Sequence, residues 1–294
     1  MDSVIDAWRE RILAHERDAS AFRGAGHGHG HGHGGHGHGG DGGHVPGGHG
    51  GFTYSNRPQD PFRIDDPVLN ALYAALPSGG TVLDVGGGAG RYALPLATRA
   101  RHVTVVEPSE DSCEALQSRA ADAGLANITV INESWEDAEA PSADMVLCSL
   151  VLHHVPDAAP FVARMQEHAT ASVVVVEMME TPGALEIPFY ERVHGTAPTP
   201  LPGLPDVLSL LWAMDIYPDV SMLASETAVI DTDRHAAMEQ LRRRLAVEEG
   251  TEADERLRAA ADELLEETPE GFIVRGVRPR RTAIVTWRPT QNGA

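Results

Sequence analysis

Short apolar runs alternate with amphipathic segments through the middle of the chain. The runs that have the pattern of buried strands are Thr81–Val85, Val103–Glu107, Ile128–Asn132, Asp144–Ser149 and Val173–Met178. Segments with helical spacing lie between most of them. The fifth run is nearly continuous in valine, which is typical of a strand buried on both faces. This alternation predicts βαβ units, and therefore an α/β fold with a mostly parallel sheet and helices on both faces.

The two regions that precede this alternation have different patterns. Residues 1–23 place Ile5, Trp8 and Ile12 at helical spacing, which predicts an amphipathic helix. Residues 24–51 contain 16 of the 30 glycines and eight of the 15 histidines. A stretch so poor in apolar side chains cannot offset the entropy of ordering its backbone, so we predict that it is disordered.

Residues 52–294 have the composition of a globular domain, in which the alternation breaks beyond residue 180. The proline-rich stretch 181–226 predicts an inserted cap that lies over the sheet and contacts the substrate. Two charged helices are predicted near Thr232–Val247 and Glu252–Glu266, and a last strand at Thr282–Trp287.

Composition narrows the range of functions. All 23 basic residues are arginines, and 43 carboxylates bring the formal charge to −20. The absence of lysine excludes Schiff-base chemistry and a P-loop. A surface this negative repels phosphate groups, so neither nucleic acid nor a membrane is an expected partner. Two cysteines exclude a disulfide framework, and no apolar run approaches the ~18–20 residues that span a bilayer. The first residues lack the pattern of a signal peptide, so we expect a cytoplasmic protein.

A glycine-rich turn follows the first predicted strand. Asp84 precedes it, and Gly86, Gly88 and Gly90 occupy alternate positions. Open α/β sheets bind ligands at such strand-to-helix junctions, and glycine lets a ligand approach the backbone closely. Arg91 stands where a dinucleotide fingerprint requires glycine, which excludes that type of phosphate site.

Further candidate residues follow the next three strands. Glu107, with Pro108 after it, ends the second strand, where a carboxylate can accept both hydroxyls of a ribose. After the third strand, Glu133 can accept an adenine amino group, and Trp135 can cover the ring. A Leu-Val-Leu-His-His sequence that begins at Leu150 follows the fourth strand.

In their order and spacing these motifs resemble the class I S-adenosylmethionine-dependent methyltransferases, in the small-molecule branch that includes quinone-biosynthesis enzymes. The resemblance covers about residues 80–180. It implies a Rossmann-like fold with a seven-stranded sheet, S-adenosyl-L-methionine as cofactor, and in-line methyl transfer to a small organic acceptor. The cofactor residues that it implies are Asp84, Gly86, Gly88, Gly90, Glu107, Pro108, Glu133, Ser134, Trp135, Leu150 and His153. By this resemblance the glycines would contact methionine, Glu107 the ribose and residues 133–135 the adenine, while Leu150 and His153 would border the sulfonium.

An acceptor hydroxyl or amine would need a base to remove its proton. His153, His154 and His194 are the candidate catalytic residues, in that order, although a purely structural role for the histidine pair stays open. Glu177 and Glu180, near the end of the fifth strand, either face the acceptor or are solvated.

The histidine tract is a second candidate site. Imidazole is the commonest ligand for zinc, nickel and copper, and a His-Gly chain can bend several rings toward one ion. The candidate metal ligands are His27, His29, His31, His33, His36, His38, His44 and His49. The alternative function is therefore a metal-binding or metal-delivery protein that uses this tract, with the sheet as a platform.

Overall fold

The computed structural model describes residues 2–25 and 60–289. The helices in these ranges are α1 (Asp2–Ala25), α2 (Pro67–Ala75), α3 (Ala93–Ala97), α4 (Glu110–Asp122), α5 (Ala158–His168), α6 (Ile187–His194), α7 (Leu204–Ala213), α8 (Arg234–Leu245) and α9 (Glu252–Leu264). The strands are β1 (Thr81–Val85), β2 (His102–Val106), β3 (Ile128–Ile131), β4 (Ala143–Ser149), β5 (Ala169–Met178), β6 (Asp219–Met222), β7 (Val229–Asp231), β8 (Leu265–Thr268), β9 (Gly271–Val274) and β10 (Thr282–Trp287). Short 3-10 helices cover Leu152–His154 and Pro182–Leu185.

Seven strands form the main sheet, in the order β3-β2-β1-β4-β5-β10-β6. The first five run parallel, and β10 is antiparallel to both β5 and β6. The strand order reverses between β1 and β4, and the carboxyl edge of an open α/β sheet binds ligands at such a point. The predicted Rossmann-like, seven-stranded, mostly parallel sheet is confirmed.

Apolar cores cover both faces of this sheet, as expected for strands buried on both sides. Leu83 and Val85 of β1 point into one core, together with Phe161 of α5. Val82 points into the other core, with Leu116 of α4. The alternation of side chains along β1 thus holds the strand between two helical layers, and it fixes where the strand ends.

The N-terminal helix α1 packs on the main domain. The indole N–H of Trp8 donates to the carbonyl of Val155 at 2.9 Å. Near the other end of the helix, the Asp18 carboxylate accepts the backbone N–H of Thr199 at 2.8 Å and its hydroxyl at 2.7 Å. Apolar burial at one end and hydrogen bonds at the other therefore attach the helix to α5 and to the chain before α7.

A second, smaller unit is formed by the chain between β6 and β10 together with α6, which precedes β6. Strands β7, β9 and β8 form an antiparallel sheet in that order, and α6, α8 and α9 surround a third core with it. Phe189 of α6 is fully buried there. The buried Arg242 of α8 donates from Nε to Oδ1 of Asp254 at 2.8 Å, which joins α8 to α9.

The structure divides the predicted cap, 181–226, between the two units. Helix α6 joins the smaller unit, whereas α7 buries Val207, Leu210 and Leu211 in the main core and β6 completes the main sheet. The prolines mark the breaks between elements, but the apolar face of each helix decides which core it joins. The two predicted charged helices correspond to α8 and α9, and the predicted last strand to β10.

Part of the sequence interpretation lies outside the described residues. All eight histidines proposed as metal ligands fall there, as does almost all of the tract 24–51. Among the helices of the described ranges, none combines the length and the apolar character needed to cross a bilayer.

Candidate functional site

The glycine turn follows β1 at the switch point of the sheet. Gly86, Gly88 and Gly90 all have positive φ, at 72°, 54° and 85°. A Cβ on Gly86 would lie 2.6 Å from Cγ2 of Val151, and one on Gly90 would overlap Leu116. Two of the three glycines are therefore required by packing within the protein itself.

Gly88 differs from its neighbours because open space surrounds the position of its missing side chain. A Cβ there would meet no described atom within 4 Å. Its backbone N–H donates to Oε2 of Glu107 at 2.9 Å, while Oε1 of the same carboxylate accepts the N–H of Ser109 at 2.9 Å. We call this open space beside Gly88, at the ends of β1 and β2 and next to the Glu107 carboxylate, the recess.

Asp84 lies beneath this turn, with 2% of its surface exposed. Burial, with a smaller contribution from the charge of Glu107, raises its pKa to about 7. Asp84 is therefore largely protonated below pH 7, which reduces its repulsion of the neighbouring carboxylate.

The predicted adenine residues follow β3. Glu133 is exposed, and Ser134 is half-buried and donates its hydroxyl to Asp137 at 2.8 Å. Trp135 is only 4% exposed, and its indole N–H donates to the carbonyl of Phe161 at 3.2 Å. The structure thus uses the Trp135 ring for packing against α5, and it leaves Glu133 and Ser134 nearer the surface.

The turn after β4 contains the other predicted cofactor residues. Leu150 has φ of 57°, a left-handed conformation, and its N–H donates to the carbonyl of Val176 on β5 at 3.0 Å. His153 is buried, and its Nδ1 lies 3.0 Å from each carboxylate oxygen of Glu177. Glu177 therefore faces this histidine and not an acceptor.

The remaining predicted side chains are engaged elsewhere. His194 lies on α6 in the smaller unit, where its Nε2 is 2.9 Å from the carbonyl of Leu245 and its ring packs against Phe22 and Tyr190. Glu180 forms an ion pair with Arg281 at 2.7 Å. Within the described ranges, no group of three or more His, Cys, Asp or Glu side chains is arranged to hold a metal ion.

A cavity of about 210 Å³ opens beside the Leu150 turn, at the ends of β5 and β6 and the start of β10. Its apolar lining consists of Pro67, Val68, Leu150, Val176, Met178, Leu223 and Ala224. Its polar and charged lining consists of Asp65, Asp66, Arg91, Tyr92, Glu226, Arg280 and Thr282. No histidine of the described residues lines it.

The sequence predicted only Leu150 among the residues that line this cavity. The others come from five further segments: the start of α2 with the two residues before it, the residues just before α3, the end of β5, the chain after β6, and the start of β10 with the chain before it. Arg91, which follows the glycine turn, is the residue whose position in the sequence could best have indicated this cavity. Next to it, Tyr92 is 3% exposed with Arg91 5.2 Å over its ring, and burial raises the pKa of this phenol to about 12.

A family model and a curated protein that match part of this chain are both methyltransferases. Residues 82–171 match the family model of a methyltransferase domain. A ubiquinone biosynthesis O-methyltransferase of Hahella chejuensis is 39% identical over 93 residues, which cover 31% of this chain and 38% of that protein. The match thus spans little more than a third of that relative.

Two solved structures share the fold. The YcgJ protein of Bacillus subtilis aligns with a TM-score of 0.51 at 16% identity, over 74% of this chain and 95% of its own. A candidate methyltransferase of Bacillus halodurans C-125 aligns with a TM-score of 0.52 at 17% identity, over 75% of this chain and 96% of its own. The main sheet and its helices are therefore an arrangement seen in other proteins.

Proposed function

We propose that the chain is a class I S-adenosylmethionine-dependent methyltransferase, which transfers a methyl group from S-adenosylmethionine to a small organic acceptor. The main sheet and the methyltransferase-domain match of residues 82–171 support this. The observation that carries the proposal is the recess at Gly88. A glycine with open space above it lies within hydrogen-bond distance of the Glu107 carboxylate, at the switch point of the sheet.

The residues around this recess fit S-adenosylmethionine. The turn Gly86–Gly90 offers backbone that a methionine moiety can approach, and the Glu107 carboxylate suits the two ribose hydroxyls. Glu133 and Ser134, which follow β3, would contact the adenine in this proposal. When bound, the cofactor supplies an activated methyl group on a sulfonium, so the protein mainly has to position the acceptor and exclude water.

We assign the acceptor to the cavity beside Leu150. Its apolar lining can hold the body of a small molecule, while the charged groups around it can orient polar substituents. The volume of about 210 Å³ favours a small acceptor over a peptide or a nucleic acid.

The proton of an acceptor hydroxyl or amine would pass to a carboxylate. His153, His154 and His194 do not line the cavity, whereas the exposed Asp65 and Glu226 do. We therefore propose that a carboxylate oxygen of Asp65 or Glu226 takes the proton and releases it to solvent. The histidine base stays a prediction from the sequence.

The experiment is transfer of radiolabel from methyl-labelled S-adenosylmethionine to a small-molecule extract, followed by separation of low-mass products. The wild-type chain should label a low-mass compound, and Gly88→Arg should abolish the labelling because its side chain fills the recess. Gly124→Arg is the matched control, since Gly124 also has positive φ (68°) and open space but ends α4 away from the glycine turn.

Deletion of residues 24–51 separates this proposal from metal delivery by the histidine tract. Methyl transfer should survive the deletion. Labelling that survives Gly88→Arg but is lost with the tract would overturn the proposal and favour the metal function.

A further inference from the structure

We infer that His153 and Glu177 are positioning residues: a buried pair that holds the Leu150 turn in place between the cofactor recess and the acceptor cavity. The inference deepens the proposed function and rests on it. Neither side chain lines the cavity, and they are only 1% and 0% exposed, so neither can touch an acceptor. Their effect would reach the site through the backbone that they hold.

The pair joins the turn after β4 to strand β5. Nδ1 of His153 lies 3.0 Å from both Oε1 and Oε2 of Glu177. Oε1 also accepts the backbone N–H of Met178 at 2.9 Å. The carboxylate is thus fixed on its own strand while it binds the histidine of the 3-10 helix. A hydrogen bond to a charged group in such a dry environment is stronger than one at the surface.

The turn that the pair holds contains a strained residue. Leu150 has φ of 57°, a conformation that is strained for a non-glycine residue and persists only where the surroundings enforce it. Its N–H bonds to the carbonyl of Val176, and its side chain lines the cavity. Val176 and Met178, on either side of Glu177, line the same cavity. The pair therefore fixes a strand and a turn that form one wall.

The same turn also packs against the cofactor recess. Val151 occupies the space beside Gly86, because a Cβ on that glycine would come within 2.6 Å of the valine Cγ2. A shift of the turn would move Val151 against the glycine turn and Leu150 against the acceptor. A 1 Å displacement at a reacting site can cost about 100-fold in rate, so a rigid support has a direct function here.

The test combines local hydrogen–deuterium exchange with cofactor binding, on the full chain. In Glu177→Gln and His153→Leu, we expect the peptide that covers residues 148–155 to exchange at least roughly tenfold faster, and the Kd for S-adenosylmethionine to rise about tenfold, because the strained turn loses its support. His153→Gln, whose amide can still donate to Glu177, should restore much of both. Asp254→Asn is the control, since it breaks a buried ion pair in the smaller unit and should leave both readings unchanged.

Each outcome decides a separate point. Unchanged exchange at 148–155 in Glu177→Gln and His153→Leu would overturn the pair as a support. Two results would show that the pair contributes only to general stability. One is faster exchange with unchanged cofactor affinity, and the other is a loss of affinity in Asp254→Asn equal to that in the His153 and Glu177 variants. If the wild-type chain binds no S-adenosylmethionine, the proposed function falls, and the exchange data alone decide whether the pair holds the turn. If Glu177→Gln does not fold, His153→Gln and His153→Leu carry the comparison.

Discussion

Replacement of Asp84 by asparagine should change how the stability of the protein depends on pH. Burial raises the pKa of Asp84 to about 7, from the 3.8 of an exposed aspartate. Between these values the native state binds more protons than the unfolded state, so the free energy of unfolding falls as pH rises, by about 1.4 kcal/mol per pH unit. From pH 5 to pH 8 this group alone therefore costs about 3 kcal/mol, which Asp84→Asn should remove.

The assay is unfolding of both proteins by urea at pH 5 and at pH 8, with tryptophan fluorescence as the signal that monitors unfolding. A buried amide adds a cost that does not vary with pH, so the quantity to compare is the variant-minus-wild-type difference at each pH. That difference should become more favourable to the variant by about 3 kcal/mol between pH 5 and pH 8. Asp122→Asn, on the exposed face of α4, should show no such change. A change below about 1 kcal/mol in Asp84→Asn would refute the reasoning.

Three further predictions follow from packing and burial. Gly90→Ala should lower the free energy of unfolding by about 3 kcal/mol or more, because its Cβ would overlap a leucine. Gly88→Ala should lower it by only about 1–2 kcal/mol, because the new Cβ lies in open space and only the positive φ is unfavourable. Urea denaturation of the two variants measures the difference. Asp254→Asn should cost about 2–3 kcal/mol, because it removes the buried carboxylate that pairs with Arg242 and leaves this arginine paired with the more exposed Glu239 and Glu249; a similar midpoint in urea would contradict this. Cys113 and Cys148 should resist Ellman's reagent until the chain unfolds, because both are buried and burial raises the pKa of each thiol; rapid labelling of the native protein would contradict this.

Most of the main sheet could be predicted because its pattern is local, whereas β6 fell within the predicted cap. Each of β1 to β5 is a short apolar run followed by a turn or a helix, and such periodicity needs no knowledge of the rest of the chain. The smaller sheet could not be predicted in this way. Strand β8, Leu265–Thr268, has the sequence Leu-Glu-Glu-Thr, which continues the charged pattern of α9, and only pairing with β9 makes it a strand. Pairing between segments overrode local pattern there.

The recess and the acceptor cavity differ in how far the sequence could predict them, and the reason is the same. The glycine turn and Glu107 follow two consecutive strands that were both predicted from the sequence, so the two motifs could be expected at the same edge of the sheet. The acceptor cavity brings together Asp65, Glu226 and Arg280 from distant segments, and no local pattern indicates that they meet. Trp135 shows the ambiguity of a single aromatic residue: it follows a strand at the site, but packing against α5 determines where its ring lies.

The most direct test of the central claim is calorimetric titration of the full chain with S-adenosylmethionine. The account predicts saturable binding of one molecule per chain, weakened roughly tenfold or more by Glu107→Ala, because we propose that this carboxylate accepts the ribose hydroxyls. Glu110→Ala, an exposed carboxylate at the start of α4, should bind as the wild type does. Absence of binding by the wild-type chain, or equal affinity in Glu107→Ala, would contradict the account.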